Sequence, residues 1–197
     1  MSTLLQKSSK KSLIREYGEA LLVALVLAFV IRTFVVQAYK IPSESMVETL
    51  LVGDHLLASK FAYGIKIPFT HSYIYRGDDP AYGDIIIFEY PNDPSVDYIK
   101  RVIGLPGETV SFRDGYTYID GQKLDESYLP TQGITQCANT FAVPEGCIFV
   151  MGDNRTGSND SRFLSQPYIP VDAIQGHMLA AISIGSQQSW QGVRWIG

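Results

Sequence analysis

The pattern of apolar and polar positions divides the chain into an apolar N-terminal segment and a long body of short strands. Residues 20–31 carry only apolar side chains, and after Arg32 and Thr33 the apolar run continues to Val36. A run of about 20 such residues is typical of a transmembrane helix. A cleaved signal peptide would need small residues at its cleavage site, and no Ala-x-Ala pattern follows the run. A buried core helix would not need an apolar surface on every side. We therefore predict a single uncleaved transmembrane anchor over residues 18–36.

Basic residues concentrate just before this predicted anchor, namely Lys7, Lys10, Lys11 and Arg15. The positive-inside bias places such a segment in the cytoplasm. The sequence therefore predicts a cytoplasmic tail over residues 1–17, a single span, and a domain outside the membrane over residues 37–197.

The body of the chain has the signals of a mainly β protein. The runs at 84–90 and 98–103 are rich in β-branched residues and end at proline or glycine. Asp114-Gly115 and Asp120-Gly121 predict tight hairpin turns. We expect an antiparallel-sheet body with a hairpin-rich subsidiary lobe at about 104–144. The clearest helical candidate outside the anchor is Ser45–Leu51.

Charge and composition narrow the function classes. The net charge is −4, and the part of the chain after residue 39 carries −7, so nucleic acid is not expected as a partner. The three histidines lack ligand-like spacing, and we predict neither a metal site nor a cofactor. Cys137 and Cys147 would be either a disulfide or two free thiols, and a compartment outside the cytosol favours the disulfide.

Two candidate chemical groups have competing local interpretations. Ser45-x-x-Glu48 has the form of a capping box, which would make Ser45 the start of a helix. As a nucleophile the serine would need a base. Lys100 becomes a base if burial lowers its pKa, whereas an exposed lysine on an edge strand would not. On an alternating strand Lys100 and Arg101 face opposite sides, so we expect at most one of them to face solvent.

The polar segment 151–162 follows a predicted strand and is dense in aspartate and asparagine. Its local pattern fits a solvated turn or a calcium-binding loop. The spacing of an EF-hand and its terminal glutamate are absent, which disfavours calcium.

Together, four segments resemble, in their order along the chain, the sequence boxes of bacterial type I signal peptidases (leader peptidases). They are Pro42-Ser-x-Ser-Met46 with Thr49-Leu50, Gly83-Asp-Ile-Ile-Ile-Phe88 with Pro91, Tyr98-Ile-Lys-Arg-Val-Ile-Gly-Leu-Pro-Gly107, and Gly152-Asp-Asn-Arg-x-x-Ser-x-Asp-Ser-Arg162. The resemblance implies a serine endopeptidase that cleaves signal peptides from exported preproteins after Ala-x-Ala-like sites. We also expect the protein in the bacterial cytoplasmic membrane, in contact with lipid, with its catalytic domain on the periplasmic side. Nothing in the sequence demands more than a monomer.

The same resemblance implies a role for each site residue. Ser45 would be the nucleophile of an acyl-enzyme mechanism and Lys100 its base. The Ser43 hydroxyl and the Ser45 amide would form the oxyanion hole, and Ser158 would orient Lys100. Tyr98 and Ile99 would line the substrate groove, and structural roles near the site would fall to Met46, Asp153, Arg155, Asp160 and Arg162.

The chain departs from the family pattern at two positions. Glu48 stands where the family usually has proline, and Gly157 where it often has asparagine. Both changes concern local rigidity and leave the proposed chemical groups in place.

Three rival functions share parts of this pattern. The self-cleaving LexA-like repressors carry a DNA-binding domain where this chain has its apolar segment. Eukaryotic-type signal peptidases use histidine as base where Lys100 stands here. A membrane-tethered β-domain that binds exported polypeptides without cleaving them would be compatible with Glu48.

Overall fold

A computed structural model describes residues 13–31, 36–47, 49–59, 62–66, 73–91, 93–183 and 192–195. Within these ranges the chain forms one α-helix, α1 (Leu13–Val30), followed by short strands. The strands are β1 (Val36–Lys40), β2 (His55–Ser59), β3 (Gly64–Lys66), β4 (Tyr73–Arg76), β5 (Ile85–Tyr90), β6 (Asp93–Gly104), β7 (Thr109–Arg113), β8 (Tyr116–Ile119), β9 (Gln122–Lys123), β10 (Phe141–Ala142), β11 (Cys147–Met151), β12 (Ile169–Pro170), β13 (Ile174–Ser183) and β14 (Gly192–Trp195). The prediction of a mainly β protein is confirmed.

The main sheet places the longest strand, β6, in its interior. Its strands run in the order β1-β2-β13-β5-β6-β11-β12, with β14 also paired to β13, and every pairing is antiparallel. Lys100 lies opposite Ile86 of β5, and its neighbour Arg101 lies opposite both Ile85 of β5 and Met151 of β11. Because β6 is hydrogen-bonded on both sides here, Lys100 is not on an edge strand.

A second sheet lies within the range predicted for the subsidiary lobe. Strands β7 to β10 pair in the order β10-β7-β8-β9. Asp114 and Asp120 adopt left-handed backbone conformations, with φ of 53° and 49°, and each is followed by a positive-φ glycine. Two consecutive residues in this region are the requirement of a type I′ hairpin turn, which explains the two turns that the sequence predicted.

The apolar core holds the segment after β1 against the main sheet. Ile41, Met46 and Leu50 are buried in one cluster with side chains of β2, β5 and β6, including Ile87 and Ile99. A separate cluster joins β6 and β11 to the second sheet through Ile103, Phe149, Val110 and Ile119. The core therefore fixes both the segment after β1 and the end of β11 to the main sheet.

The N-terminal prediction differs from the structure. The sequence predicted a transmembrane anchor over residues 18–36, whereas α1 covers Leu13–Val30 and therefore includes the charged Arg15, Glu16 and Glu19. None of the helices in the described ranges is long and apolar enough to cross a membrane. Residues 32–35, which belong to the predicted anchor, lie outside the described residues.

Candidate active site

The segment that carries Ser45 is a single 3₁₀ turn rather than the helix that the sequence predicted over Ser45–Leu51. The turn covers Glu44–Met46, and the residue that precedes it, Ser43, makes no side-chain capping bond. Ser45 lies inside this turn rather than at the start of a described helix, and Glu48, the other residue of the capping box, lies outside the described residues. Met46 is buried in the core directly after Ser45, as the resemblance implied, and this packing fixes the turn.

Two groups of bonds hold the turn from opposite sides. Ile41 donates its backbone N–H to the carbonyl of Asp54, and Leu50 donates to the carbonyl of Met46. From the other side, the Asn154 amide donates to the carbonyl of Ser45, at 3.0 Å. The Asn154 side chain also donates to the Glu44 carbonyl, at 3.1 Å. The segment around Ser45 is thus fixed by backbone contacts that no local sequence pattern shows.

Ser45 and Lys100 meet although they are far apart in sequence. Lys100 Nζ lies 2.8 Å from Ser45 Oγ and also donates to the carbonyl of Ile99 at 3.1 Å. Both residues are buried: Lys100 is 3% exposed and Ser45 8%. The Ser43 hydroxyl oxygen lies 3.3 Å from Ser45 Oγ, on the solvent side of the pair.

Burial changes the chemistry of the Lys100 amine. Removal from water lowers its pKa from 10.5 to about 8, while the nearby carboxylates of Asp160 and Asp153 act in the opposite direction. A lysine with this pKa is partly neutral near physiological pH, so its lone pair is available to accept the proton of the serine hydroxyl.

The expectation that at most one of Lys100 and Arg101 faces solvent is confirmed, and in fact both side chains are buried. Arg101 is 7% exposed and binds Asp153 through two parallel bonds of 2.8 and 2.6 Å. Asp153 in turn accepts a bond of 2.6 Å from the hydroxyl of Thr49, in the segment that follows Ser45. Through these bonds Asp153 links β6, the start of the polar segment and the residues that follow Ser45. No function was predicted for Arg101 from the sequence, although an arginine in an apolar strand indicates a buried acidic partner.

The polar segment 151–162 is not a solvated turn, because most of its side chains are buried. Asp160 and Arg162 form a bidentate pair of 2.8 Å bonds with both side chains fully buried, the pair that the resemblance implied. Asp160 also accepts the Gly152 N–H at 2.9 Å. Arg155 pairs with Glu126 of the second sheet's connecting segment, and its guanidinium also reaches Tyr128 at 3.0 Å. Glu126 and Tyr128 were not identified from the sequence.

Gly152 explains how this loop comes so close to Ser45. A Cβ at this position would lie 2.4 Å from the carbonyl oxygen of Ser45 and 2.2 Å from Ser158 Oγ. Real Cβ atoms do not approach other heavy atoms so closely. The Ser45 carbonyl belongs to the backbone and cannot move aside as a flexible side chain can. Glycine is therefore required where the loop passes the serine segment.

Two predicted contacts are absent from the described part of the chain. Ser158 Oγ is buried but makes no hydrogen bond, so the predicted bond to Lys100 is not formed. Cys137 and Cys147 are free thiols rather than the predicted disulfide. Cys147 begins β11 and is held in register opposite Pro170, while Cys137 lies in an irregular segment. Burial raises the pKa of the Cys147 thiol.

A cavity of about 260 Å³ opens beside the serine and lysine. Tyr98 and Ile99 line it, as the resemblance implied for a substrate groove, together with Ser43 and Ser45. Its other side is formed by apolar residues of the serine segment, Ile41, Met46 and Leu50. The cavity has room for small side chains next to Ser45 Oγ.

A buried serine hydroxyl in contact with a lysine of lowered pKa, beside an open cavity, is an arrangement that serine hydrolases use. Comparison with known proteins agrees. The family model described as "Signal peptidase, peptidase S26" matches residues 14–182. The chain belongs to this family and is a serine peptidase.

Named relatives fall in the same family. A signal peptidase I of Pseudomonas aeruginosa is 36% identical over 199 residues, which cover 87% of this chain and 70% of the relative. A probable signal peptidase I-1 of Synechocystis is 41% identical over 175 residues, covering 84% of this chain and 81% of the relative. A crystal structure of a signal peptidase I from Enterococcus faecalis matches 51% of this chain and 97% of its own, at 37% identity and a TM-score of 0.45.

Proposed function

We propose that this peptidase removes signal peptides from exported preproteins after Ala-x-Ala-like sites, with Ser45 as nucleophile and Lys100 as general base. The observation that carries the proposal is the 2.8 Å separation of Lys100 Nζ and Ser45 Oγ at the floor of an open cavity. The family and the relatives' names support the substrate class. The geometry of Ser45 and Lys100 supports the proposed nucleophile and base.

The proposed reaction has two acyl-transfer steps. The neutral Lys100 amine removes the proton from Ser45 Oγ while this oxygen attacks the carbonyl carbon of the scissile bond. The lysine then gives the proton to the leaving amine, and an acyl-enzyme ester remains on Ser45. A water molecule, deprotonated by the same amine, hydrolyses the ester and restores the serine.

The contacts of the lysine support this role. The bond from Nζ to the Ile99 carbonyl uses one N–H and fixes the direction of the amine, so that its lone pair can face Ser45 Oγ. The Ser43 hydroxyl lies close enough to serve with the Ser45 amide as an oxyanion donor. A donor of this kind is worth about 3 kcal/mol in the transition state.

The lining of the cavity supports specificity for small residues. Ile41, Met46, Leu50 and Ile99 belong to one buried cluster and also line the cavity beside the serine. Such an apolar lining suits small apolar side chains such as that of alanine.

We further propose that the N-terminal segment attaches the peptidase to the cytoplasmic membrane, with the catalytic domain on its outer side. The apolar side chains of α1 are exposed, among them Leu21, Leu22, Leu25 and Phe29 at 59–68%. Ser45 follows Val36 by nine positions, so it must lie within about 30 Å of the end of the apolar run. Signal peptides present their cleavage sites at the same interface. Carbonate-washed membranes should retain the protein, and externally added protease should remove its catalytic domain from spheroplasts. Release into the soluble fraction would contradict attachment.

The test of the catalytic proposal is cleavage of a preprotein that has an Ala-x-Ala site by the full chain in detergent. Ser45→Ala and Lys100→Ala should each abolish processing without loss of folded structure by circular dichroism. Ser127→Ala and Lys123→Ala, on exposed positions of the second sheet's region, are matched controls and should cleave normally. Normal cleavage by the Lys100→Ala protein would refute the lysine as base, and a wild type that binds the preprotein without cleaving it would refute the enzyme.

A further inference from the structure

Two buried aspartates lie on the segment that passes Ser45, which the Lys100 amine contacts: Asp160 accepts the Gly152 N–H, Asp153 follows Gly152, and Gly152 lies against the Ser45 carbonyl. Asp153 and Asp160 are 2% and 0% exposed, and their carboxylates act on Lys100. Each carboxylate is also bound by two parallel bonds to its own buried arginine, Asp153 to Arg101 and Asp160 to Arg162. The two aspartates and two arginines together carry no net charge.

The pairing matters because Lys100 must lose its proton to act. Burial favours the neutral amine, whereas an uncompensated carboxylate within about 4–6 Å would favour the ammonium and raise the pKa by about 1–3 units. Two uncompensated carboxylates would therefore cancel the effect of burial. Each arginine reduces the field of its aspartate at the lysine, since the opposite charges lie less than 3 Å apart.

We propose that Arg101 and Arg162 are positioning residues that act on Lys100 through charge: each offsets the charge of an aspartate that acts on the lysine and so favours the neutral form of its amine. The inference rests on the proposed role of Lys100 as general base and explains why that role survives next to two carboxylates. It assigns the two arginines an electrostatic effect in addition to their structural one.

The other groups near the lysine do not provide this balance. The centroid of the Tyr98 ring lies 5.0 Å from Nζ, on the same strand, and the ring offers its aromatic face rather than a carboxylate or guanidinium. Glu44 and Asp97 line the same cavity but are exposed, so water screens their charges. Arg101 is held over the ring of Tyr128, whose centroid lies 4.1 Å from its guanidinium carbon. This contact places one of the two arginines independently of its aspartate.

The test is the acidic limb of kcat/KM against pH for cleavage of a peptide substrate, since this limb reports the base in the free enzyme. Arg162→Gln leaves Asp160 uncompensated, and the limb should move up by about one pH unit, which is about a tenfold loss of kcat/KM on its acidic side. Asp160→Asn leaves Arg162 uncompensated, and the limb should move down by a similar amount. The double variant should return it close to the wild-type position.

The opposite signs distinguish charge from structure. Loss of packing would lower the height of the profile in both variants but would not move the limb in opposite directions. If an Asp160 or Arg162 variant does not fold, Asp153→Asn and Arg101→Gln supply the same pair of signs. Shifts in the same direction, or no shift in variants that fold, would overturn the inference.

The same measurements distinguish this inference from the proposed function. An active Lys100→Ala protein, or a wild-type profile without an acidic limb, would contradict the lysine base itself. If replacement of Lys100 abolishes the acidic limb but the arginine and aspartate variants leave its position unchanged, only the charge effect is contradicted.

Discussion

Replacement of Lys100 by methionine should make the protein more stable at neutral pH while it abolishes catalysis. Methionine has a similar length and no charge, so it can fill the same space in the buried site. The lysine is 3% exposed, and its burial is the main reason for its lowered pKa. The native state therefore pays a free-energy cost whenever this side chain is protonated.

The size of this stabilisation follows from the shift in the pKa of Lys100. A pKa lowered from 10.5 to about 8 corresponds to about 3 kcal/mol, at 1.36 kcal/mol per unit. The methionine loses the bonds to Ser45 and the Ile99 carbonyl, which are worth about 2 kcal/mol in total at about 1 kcal/mol each. The free energy of unfolding of Lys100→Met should thus exceed that of the wild type by about 1 kcal/mol at pH 7.

The pH dependence has a defined sign. Between about pH 8 and 10.5 the unfolded chain binds more protons at Lys100 than the native protein, so the stability of the wild type rises with pH across this window. Below about pH 8 the cost is fully present, and above 10.5 it is absent. The advantage of Lys100→Met should therefore disappear as the pH approaches 10.5.

The assay is denaturant unfolding of the full chain in a mild detergent at pH 7 and pH 10, for the wild type and Lys100→Met. Lys123→Met, at an exposed lysine of β9, is the matched control and should change the stability little at either pH. A Lys100→Met protein less stable than the wild type at pH 7, or with a difference independent of pH, would refute the idea that burial lowers the pKa of Lys100.

Two further predictions concern the loop that closes the site. Gly152→Ala should reduce cleavage by at least about 100-fold, because its Cβ would overlap the Ser45 carbonyl and Ser158 and displace the nucleophile. A displacement of about 1 Å is expected to have an effect of this order. An unchanged kcat with an unchanged melting temperature would contradict the close approach of Gly152 to the Ser45 carbonyl. Glu126→Gln should lower the free energy of unfolding, measured by denaturant unfolding, by about 3–5 kcal/mol, because it leaves the buried guanidinium of Arg155 without its carboxylate. A change of less than about 1 kcal/mol would show that Tyr128 and the neighbouring hydroxyls are enough to stabilise the buried guanidinium.

The sequence by itself determined the β character of the body and its tightest turns. Alternation and β-branched runs predict strands because side chains of a strand point alternately to the two faces of a sheet. The Asp114-Gly115 and Asp120-Gly121 pairs predict hairpins because few other residues adopt positive φ at low cost. These are local properties, and a local pattern is sufficient to identify them.

The sequence also identified Ser45 and Lys100, but only through four ordered segments, since each residue taken alone had a more ordinary interpretation. The tertiary structure decided between the interpretations. Lys100 is an interior-strand residue because β5 and β11 pair with β6 on both sides, and Ser45 is fixed by a carbonyl contact with Asn154. Strand order and long-range contacts have no signature in the neighbouring residues.

Only the tertiary structure showed what surrounds the lysine. Arg101 finds Asp153 across 52 positions of sequence, and Arg155 finds Glu126 in the connecting segment of another sheet. The pKa of Lys100 depends on burial and on the carboxylates of Asp160 and Asp153, which are properties of the assembled interior. The sequence therefore determined which lysine could be proposed as a base, and the packing around it decided the pKa of that lysine.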